Sequence, residues 1–199
     1  MAKIIAGKNG SKKEVISKTA SKLFQQKGFS ATSMRDIAET IGVEAPSLYN
    51  HISSKTELLQ EICFRIANVF NAHMLDVENS KASLQVKLKK LISFHIRMIV
   101  TEYESVYISD HEWKHLPEPY LSNFKNQRKL YRARFANLIL EGIKTNEFKK
   151  IDPPIAVLTI LSAISGVESW RRSKKITDAA EVEKNMIAIL LEGITQKQS

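Results

Sequence analysis

Three short patterns, each a serine followed three residues later by an acid, constrain the fold of this chain more than any other feature. They are Ser11/Glu14, Ser33/Asp36 and Ser54/Glu57. In such a capping box the serine side chain accepts a hydrogen bond from a first-turn N–H, and the acid accepts one from the serine N–H. Apolar residues repeat at helical spacing behind each box. The N-terminal region is therefore predicted to be helical.

The first sixty residues are predicted to form three helices before a longer one begins. The first covers residues 11–27 and is followed by Gly28, and the second starts at Ser33 and is followed by Gly42. Glycine just past the last turn commonly ends a helix, because it adopts the left-handed conformation without strain. A third short helix is predicted over about residues 45–51.

Glycine and proline are scarce in this chain, with 7 and 5 positions among 199 residues. This is about half their usual share and disfavours folds that need many tight turns. The apolar periodicity predicts further helices that begin near residues 55, 84, 103, 121, 153 and 178. The helix that begins at Tyr103 is predicted to end at Leu116, before Pro117. We predict an all-α protein of about nine helices. Its predicted parts are a basic arm (1–10), an N-terminal helical domain (11–56) that contains a motif of two short helices at about 33–52, and a longer helical domain (57–199).

The charge of the chain predicts an acidic partner. The formal net charge is +9, and residues 1–27 hold seven lysines against the single acid Glu14. Such a distribution favours nucleic acid as the partner, although a solvated arm followed by an ordinary helix surface has the same composition.

Cysteine content and hydropathy exclude several other classes. A single cysteine, Cys63, excludes an intramolecular disulfide framework and any cysteine-based zinc module. The longest uncharged stretch, residues 153–167, is shorter than the roughly 20 apolar residues of a membrane span. The N-terminal apolar run is too brief for a signal peptide. We expect a cytoplasmic protein without a membrane partner.

Two short helices joined by the turn Ile41-Gly42-Val43-Glu44 form the pattern of a helix-turn-helix. In this motif the second helix lies in the DNA major groove. Leu48 and Ile52 are predicted to face inward, whereas an αα-corner inside a helical domain is the alternative interpretation. The predicted DNA contacts are Ser33, Arg35, Ala45, Pro46, Ser47, Tyr49, Asn50, His51 and Lys55.

The run from Gly28 to Leu59 resembles the DNA-binding domain of the tetracycline-repressor (TetR) family of bacterial transcriptional regulators. The matching residues are Gly28-Phe29, Thr32-Ser33-Met34, Ile37-Ala38, Ile41-Gly42-Val43, Ser47-Leu48-Tyr49, His51, Lys55 and Glu57-Leu58-Leu59. The resemblance implies that residues 45–51 form the recognition helix and that Tyr49 and Lys55 hold the DNA backbone. Two positions depart from the pattern: Ala45 stands where a polar residue is frequent, and Ile52 where phenylalanine is usual.

The same resemblance implies a C-terminal domain that dimerises through the last two helices and binds a small effector. The sequence agrees, because residues 153–172 are apolar on more than one helix face and need a partner beyond their own domain. We expect a homodimer formed by about residues 153–172 and 178–196. Its two-fold symmetry predicts a palindromic operator with half-sites about 34 Å apart.

Several C-terminal segments resemble a TetR subgroup that senses acyl-coenzyme A thioesters or related acids. They are Leu116-Pro117-Glu118, Glu141-Gly142-Ile143, Phe148, Asp152-Pro153 and Leu191-Glu192-Gly193-Ile194. Cations that share a helix face are predicted phosphate contacts, with a solvated face as the alternative: Lys125, Arg128, Lys129 and Arg132. Candidate pocket residues, most of which are expected to be core, are Phe94, Met98, Tyr103, Tyr107, Trp113, Phe124, Tyr131 and Trp170.

One enzymatic pattern competes with the regulator hypothesis. His111, Glu112 and His115 form the spacing H-E-x-x-H, in which two histidines on one helical turn bind zinc and the glutamate acts as a base. A lysine interrupts the pattern, Pro117 stands two residues after it, and the sequence offers no evident third ligand. We therefore expect no catalytic residue, metal or cofactor, and keep a zinc-dependent hydrolase as the alternative.

Overall fold

The structure, a computed structural model, describes residues 12–172 and 178–195. Within these residues the secondary structure consists of nine α-helices and a short 3₁₀ helix at Trp113–His115. The α-helices are α1 Lys12–Lys27, α2 Met34–Ile41, α3 Ala45–Tyr49, α4 Lys55–Asn79, α5 Leu84–Thr101, α6 Tyr103–His111, α7 Tyr120–Lys144, α8 Pro153–Arg172 and α9 Ala179–Ile194. The predicted all-α class is confirmed. The predicted arm (1–10), Ser11 and residue 196 lie outside the described residues.

The predicted start of α2 and both predicted glycine stops are confirmed. Ser33 accepts a hydrogen bond from the Asp36 N–H at 3.1 Å, and the Asp36 carboxylate accepts one from the Ser33 N–H at 2.8 Å. Gly28 and Gly42 have φ values of 85° and 79°, in the left-handed region that favours glycine.

Only one of the two hydrogen bonds of the third capping box, Ser54/Glu57, is as predicted. Ser54 accepts a hydrogen bond from the Glu57 N–H at 3.1 Å, as expected. The Glu57 carboxylate, however, accepts from the N–H of Ser53 at 2.8 Å, one residue earlier than the pattern implied. Ser53 therefore shares the capping of α4 with Ser54.

Two predicted helices end earlier than expected. Helix α3 stops at Tyr49 instead of residue 51, and the chain then turns with the N–H of Ile52 bonded to the Leu48 carbonyl at 3.1 Å. Helix α6 stops at His111 instead of continuing to residue 116, and a 3₁₀ turn follows. Leu116 has an extended backbone, as the residue before a proline must.

The contacts divide the chain into two compact units, and neither is one continuous stretch. The first comprises residues 12–68 and 104–126, and the second comprises residues 69–103 together with the described residues from 127 onward. Helix α4 contributes to both units, and so does α7. The expected boundary between residues 56 and 57 stays a prediction.

The core of the first unit joins the helix-turn-helix to the later segment. Its buried residues from the earlier stretch include Phe24, Ile37 and Leu48. Ile108 and Phe124, both from residues 104–126, are fully buried in the same cluster. The DNA-binding motif is therefore supported by side chains that lie more than fifty residues further along the chain.

In the second unit, α5 packs against α8 and α9. The Arg97 guanidinium on α5 binds the Glu183 carboxylate on α9, with a shortest contact of 3.0 Å. Burial is one-sided on α8: Ile160 and Ile164 are buried, whereas Ile155 and Leu158 remain 62% and 64% exposed. Helix α8 thus presents a second apolar face within the single chain.

Gly142, on α7, lies under the ring of Phe148. A Cβ atom at residue 142 would lie 2.8 Å from Phe148 Cγ and closer still to two other ring carbons. The N–H of Phe148 donates to the Gly142 carbonyl at 2.9 Å, and the ring is buried. The chain leaving α7 is held onto the helix in this way.

Contrary to the sequence analysis, α8 includes a stretch whose length and composition would allow it to cross a membrane. It covers Pro153–Arg171, of which about a third is buried inside the protein. Core helices of soluble proteins share this length and composition.

Candidate nucleic-acid interface

Helix α3 has the inward and outward faces that a recognition helix needs. Leu48 is fully buried and Ile52 is 1% exposed, as predicted, so this side anchors the helix to the core. The predicted contacts divide into the exposed residues Pro46, Tyr49 and Asn50 and the half-buried residues Ala45, Ser47 and His51. Because α3 ends at Tyr49, Asn50 and His51 lie in the following turn.

The first turn of α2 carries two predicted contacts beside a fixed carboxylate. Hydrogen bonds from Ser33 and from the Lys27 ammonium, the latter at 3.0 Å, hold the pKa of Asp36 well below its usual range. Asp36 therefore stays charged and keeps Ser33 in its capping geometry. Arg35 is exposed, and no ion pair of its guanidinium is found within the described residues.

An open groove of about 570 Å³ lies between the start of α2 and the start of α4. It brings together four predicted contacts: Ser33, Arg35, Tyr49 and Lys55. The other predicted contacts do not line it. Its remaining lining residues are Ser30, Ala31, Thr32, Met34, Ser53 and Ser54. Four of the ten lining residues are serines, and the hydroxyls of two of them, Ser33 and Ser53, donate to the carboxylates of Asp36 and Glu57.

Lys55 lies in this groove, but its ammonium is turned toward the protein. It donates hydrogen bonds to the carbonyl oxygens of Phe29, Ser30 and Thr32 at 2.9, 3.1 and 2.9 Å. It also lies 4.6 Å from the centroid of the Phe29 ring. A lysine ammonium has three N–H donors, and these contacts use all three. The geometry thus differs from that expected of a phosphate ligand.

Two residues that the sequence analysis did not single out hold this turn in place. Thr32 is 1% exposed, and its hydroxyl donates to the Gly28 carbonyl at 2.9 Å. The Phe29 ring packs edge-on against Phe24, with centroids 5.2 Å apart. Both residues belong to the matched run, but only their partners in space reveal their role.

The predicted pocket residues do not form one group. Phe124 is part of the first unit's core, and Tyr107 and Trp113 pack against that core. The other five, Phe94, Met98, Tyr103, Tyr131 and Trp170, belong to the second unit. There the Tyr131 hydroxyl and His95 Nε2 are 2.7 Å apart, and burial raises the pKa of Tyr131 well above its usual range. His95 is thus a half-buried histidine with a hydrogen-bonding partner.

The predicted cationic face lies on α7. Lys125, Lys129 and Arg132 are exposed, and Arg128 is half-buried. The Lys125 ammonium lies 5.9 Å from the centroid of the Trp113 ring. Whether this face binds phosphate stays a prediction.

The histidines of the H-E-x-x-H pattern do not share a helical turn. His111 is the last residue of α6 and lies against Tyr107, whereas His115 belongs to the 3₁₀ turn and stacks on Phe29. His115 Nε2 is 3.3 Å from the Glu112 carboxylate. Among the described residues, no three histidine, cysteine, aspartate or glutamate side chains lie together as a metal site would need. Nothing in this geometry supports the hydrolase alternative.

The two short helices and the exposed side of α3 define a helix-turn-helix DNA-binding protein. The chain belongs to the TetR family of bacterial regulators. Residues 16–62 match the family model described as "Bacterial regulatory proteins, tetR family", and residues 81–194 match "Tetracyclin repressor-like, C-terminal domain". The second match alone spans more than half of the chain, so the resemblance noted in the sequence is confirmed.

Known proteins are similar over the whole chain. The transcriptional repressor KstR2 of Mycobacterium tuberculosis is 26% identical over 195 residues, which are 97% of this chain and 98% of that protein. Its solved structure, described as a ketosteroid transcriptional regulator, superposes with a TM-score of 0.88 and covers 97% and 100% of the two chains. The structure of AibR with isovaleryl coenzyme A and operator DNA has a TM-score of 0.78 at 21% identity and covers 90% and 97%.

Proposed function

We propose that this protein is a dimeric repressor that acts in the cytoplasm, binds a palindromic operator through α3 and is released by a small effector. The observation that carries the proposal is the one-sided burial of α3, with Leu48 fixed in the core and Tyr49 53% exposed. The similarity to KstR2, a transcriptional repressor that aligns with this chain over 98% of its own length, supports it.

The DNA contacts are divided by chemistry. Ala45, Pro46 and Ser47 are placed at the start of α3, where small side chains allow a close approach to base edges. Tyr49 donates from its hydroxyl to a phosphate, and Arg35 supplies a guanidinium that binds guanine or phosphate in a bidentate manner. Ser33, also predicted to contact a phosphate, instead donates its one O–H to the Asp36 carboxylate and caps α2. Asn50 and His51 contact the edge of the DNA major groove from the turn that follows α3.

Tyr49→Ala is expected to weaken binding to all duplexes, because a phosphate contact carries no sequence information. Ser47→Ala is expected to alter base preference, with about 1–3 kcal/mol of discrimination lost at one position. The operator is first selected from a pool of random duplexes with the full-length protein. Fluorescence anisotropy then compares the selected and random duplexes.

Tyr120→Ala provides the matched control for Tyr49→Ala. Tyr120 is an exposed tyrosine at the start of α7, 38% accessible, outside the proposed interface. It should leave both affinities unchanged. If Tyr49→Ala weakened only the selected duplex, Tyr49 would be a base contact and the assigned role would be wrong.

Dimerisation uses the outer apolar faces of the last two helices. Ile155 and Leu158 on α8 and Ile189 on α9 are each more than 60% exposed in the single chain. Exposed large apolar side chains at helical spacing favour burial against a second copy. Two helices from each subunit form a four-helix interface, and its two-fold axis relates the two recognition helices.

The effector acts by shifting the population of two conformations. Helix α4 is continuous from the first unit into the second, so a ligand in the second unit that prefers one position of α4 changes the spacing of the recognition helices. Release requires that the ligand bind the form that does not bind DNA more tightly.

The proposed effector is an acyl-coenzyme A or a fatty acid. A similar structure holds isovaleryl coenzyme A, and α7 carries exposed cations suited to phosphate groups. Thermal unfolding should respond to acyl-coenzyme A thioesters, since a native-state ligand at about 100 times its Kd adds roughly 2.7 kcal/mol. Free fatty acids and aromatic cations are screened beside the thioesters.

The double variant K129M/R132M tests the role of the α7 cations. We expect it to lose most of the response to thioesters and to keep any response to free fatty acids. K89M/K90M, a pair of exposed lysines on α5, is the charge-matched control. A response restricted to aromatic cations would contradict the acyl assignment.

A further inference from the structure

The inward-facing ammonium of Lys55 is the least expected feature of the DNA-binding unit. Its three carbonyl partners lie 23 to 26 residues earlier in the chain, in the turn that connects α1 to α2. The turn carbonyls converge on one point, and an ammonium with three donors satisfies all of them.

These contacts join the two ends of the helix-turn-helix. Thr32 directly precedes the cap of α2, and Lys55 is the first residue of α4, so the ammonium joins the chain entering the motif to the chain leaving it. Both joined segments are fixed independently: the buried Thr32 hydroxyl binds the Gly28 carbonyl, and Glu57 binds the Ser53 N–H. Helices α2 and α3 lie between the two joined ends.

Phe29 adds a second contact to this closure. The Lys55 ammonium lies 4.6 Å from its ring centroid, within the range of a cation–π interaction. The same ring packs on Phe24 of α1 and stacks on His115, with both centroids 5.2 Å away. Lys55 is thereby attached to a ring that is fixed on two other sides.

A phosphate ligand at this position would need a different geometry. To reach a phosphate, the ammonium would have to leave three carbonyl oxygens. The Phe29 carbonyl would keep the N–H of Thr32 at 3.3 Å, but the part-buried Thr32 carbonyl would lose its ammonium donor, which is unfavourable. The carbonyl-lined turn is also electrostatically unfavourable for an anion. The phosphate contact that the resemblance implied for Lys55 is thus opposed by the chain's own structure.

We infer that Lys55 is a positioning residue, which sets the orientation of α2 and α3 for DNA by fastening the α1–α2 turn to the start of α4, and is not a phosphate ligand. The inference rests on the proposed DNA-binding function. It gives different roles to Tyr49 and Lys55, although the family resemblance implied that both contact the DNA backbone.

The two roles predict different results for Lys55→Met. Loss of a phosphate ligand weakens selected and random duplexes alike, and lowers the slope of log K against log salt by about 0.9 per contact, or about 1.8 for a dimer. Loss of a positioning residue leaves that slope unchanged. It weakens the selected operator by about tenfold and the random duplex by less than about twofold, because only specific binding needs oriented helices.

The measurement uses the full-length protein, a duplex selected from a random pool, and anisotropy titrations from 50 to 300 mM KCl. The temperature is set well below the unfolding midpoint of each variant, so a lower stability alone does not change the affinity. Arg35→Met is the reference for a lost DNA contact and should lower the slope. Lys89→Met, an exposed lysine on α5, should change nothing.

A measurement on the unmutated protein covers the case in which Lys55→Met does not fold. NMR of protein with ¹⁵N-labelled lysine side chains should show a slowly exchanging Lys55 ammonium before DNA is added, and the same signal after operator is added. A Lys55 signal that appears or shifts strongly only with DNA would overturn the inference. So would a slope lowered by about 1.8 in Lys55→Met. A pool that yields no enriched duplex would instead overturn the proposed function.

Discussion

Leu158→Glu is expected to convert the protein from a dimer to a monomer and to weaken operator binding by more than about 100-fold. Leu158 is 64% exposed on the outer face of α8, beside Ile155. In the proposed two-fold interface the new carboxylate would be buried without a partner, and both the lost apolar area and the unpaired charge disfavour association. A monomer then contacts only one operator half-site.

Leu130→Glu is the matched control, because Leu130 is 54% exposed on α7 and lies outside the proposed interface. Light scattering after gel filtration reports the mass of each variant, and anisotropy reports operator affinity. Leu130→Glu should remain dimeric with unchanged affinity. A dimeric Leu158→Glu protein would show that another surface joins the subunits.

Gly142→Ala is expected to lower the free energy of unfolding by about 2–3 kcal/mol, although alanine is normally the better helix former. The new Cβ would lie within 2.8 Å of Phe148 Cγ, and the buried ring has to move. The steric term exceeds the helix-propensity gain of about 1 kcal/mol. For a chain of this size the thermal midpoint should fall by roughly 5–10 °C.

The background variant Phe148→Ala separates the steric effect from any other. Without the ring, Gly142→Ala should stabilise the protein slightly, by up to about 1 kcal/mol, so the sign of its effect reverses. Thermal unfolding of both single variants and the double variant completes the cycle. An equal loss in both backgrounds would mean that the ring does not oppose the methyl group.

Helix boundaries were predictable where a local signal determines them. The Ser33 box and the stops at Gly28 and Gly42 depend on residues within one turn, and the structure has all three. The family was predictable for the same reason, since its motif is a continuous run. The early end of α6 was not, because Pro117 marks where a helix must have ended and not where it does end.

Contacts between distant residues were not predictable. The Lys55 ammonium has the same sequence context whether it faces DNA or the carbonyl of Phe29, 26 residues away. The pocket residues show the same limit: periodicity indicated that Phe124 and Tyr131 are both buried on α7, but not that they belong to different units. Only the positions of other helices decide such questions.

The first unit is built from two separate stretches of the chain, and this limits which segments can be exchanged with those of other proteins. Ile108, Leu116 and Phe124 complete its core, and in the sequence they follow residues 69–103, which belong to the second unit. A chimaera that joins residues 1–68 to a foreign sensor would discard these side chains and leave an apolar gap under the helix-turn-helix. A working exchange of sensors needs three junctions, at residues 68/69, 103/104 and 126/127. The residues that support the DNA-binding motif therefore constrain which sensor segments the chain can accept.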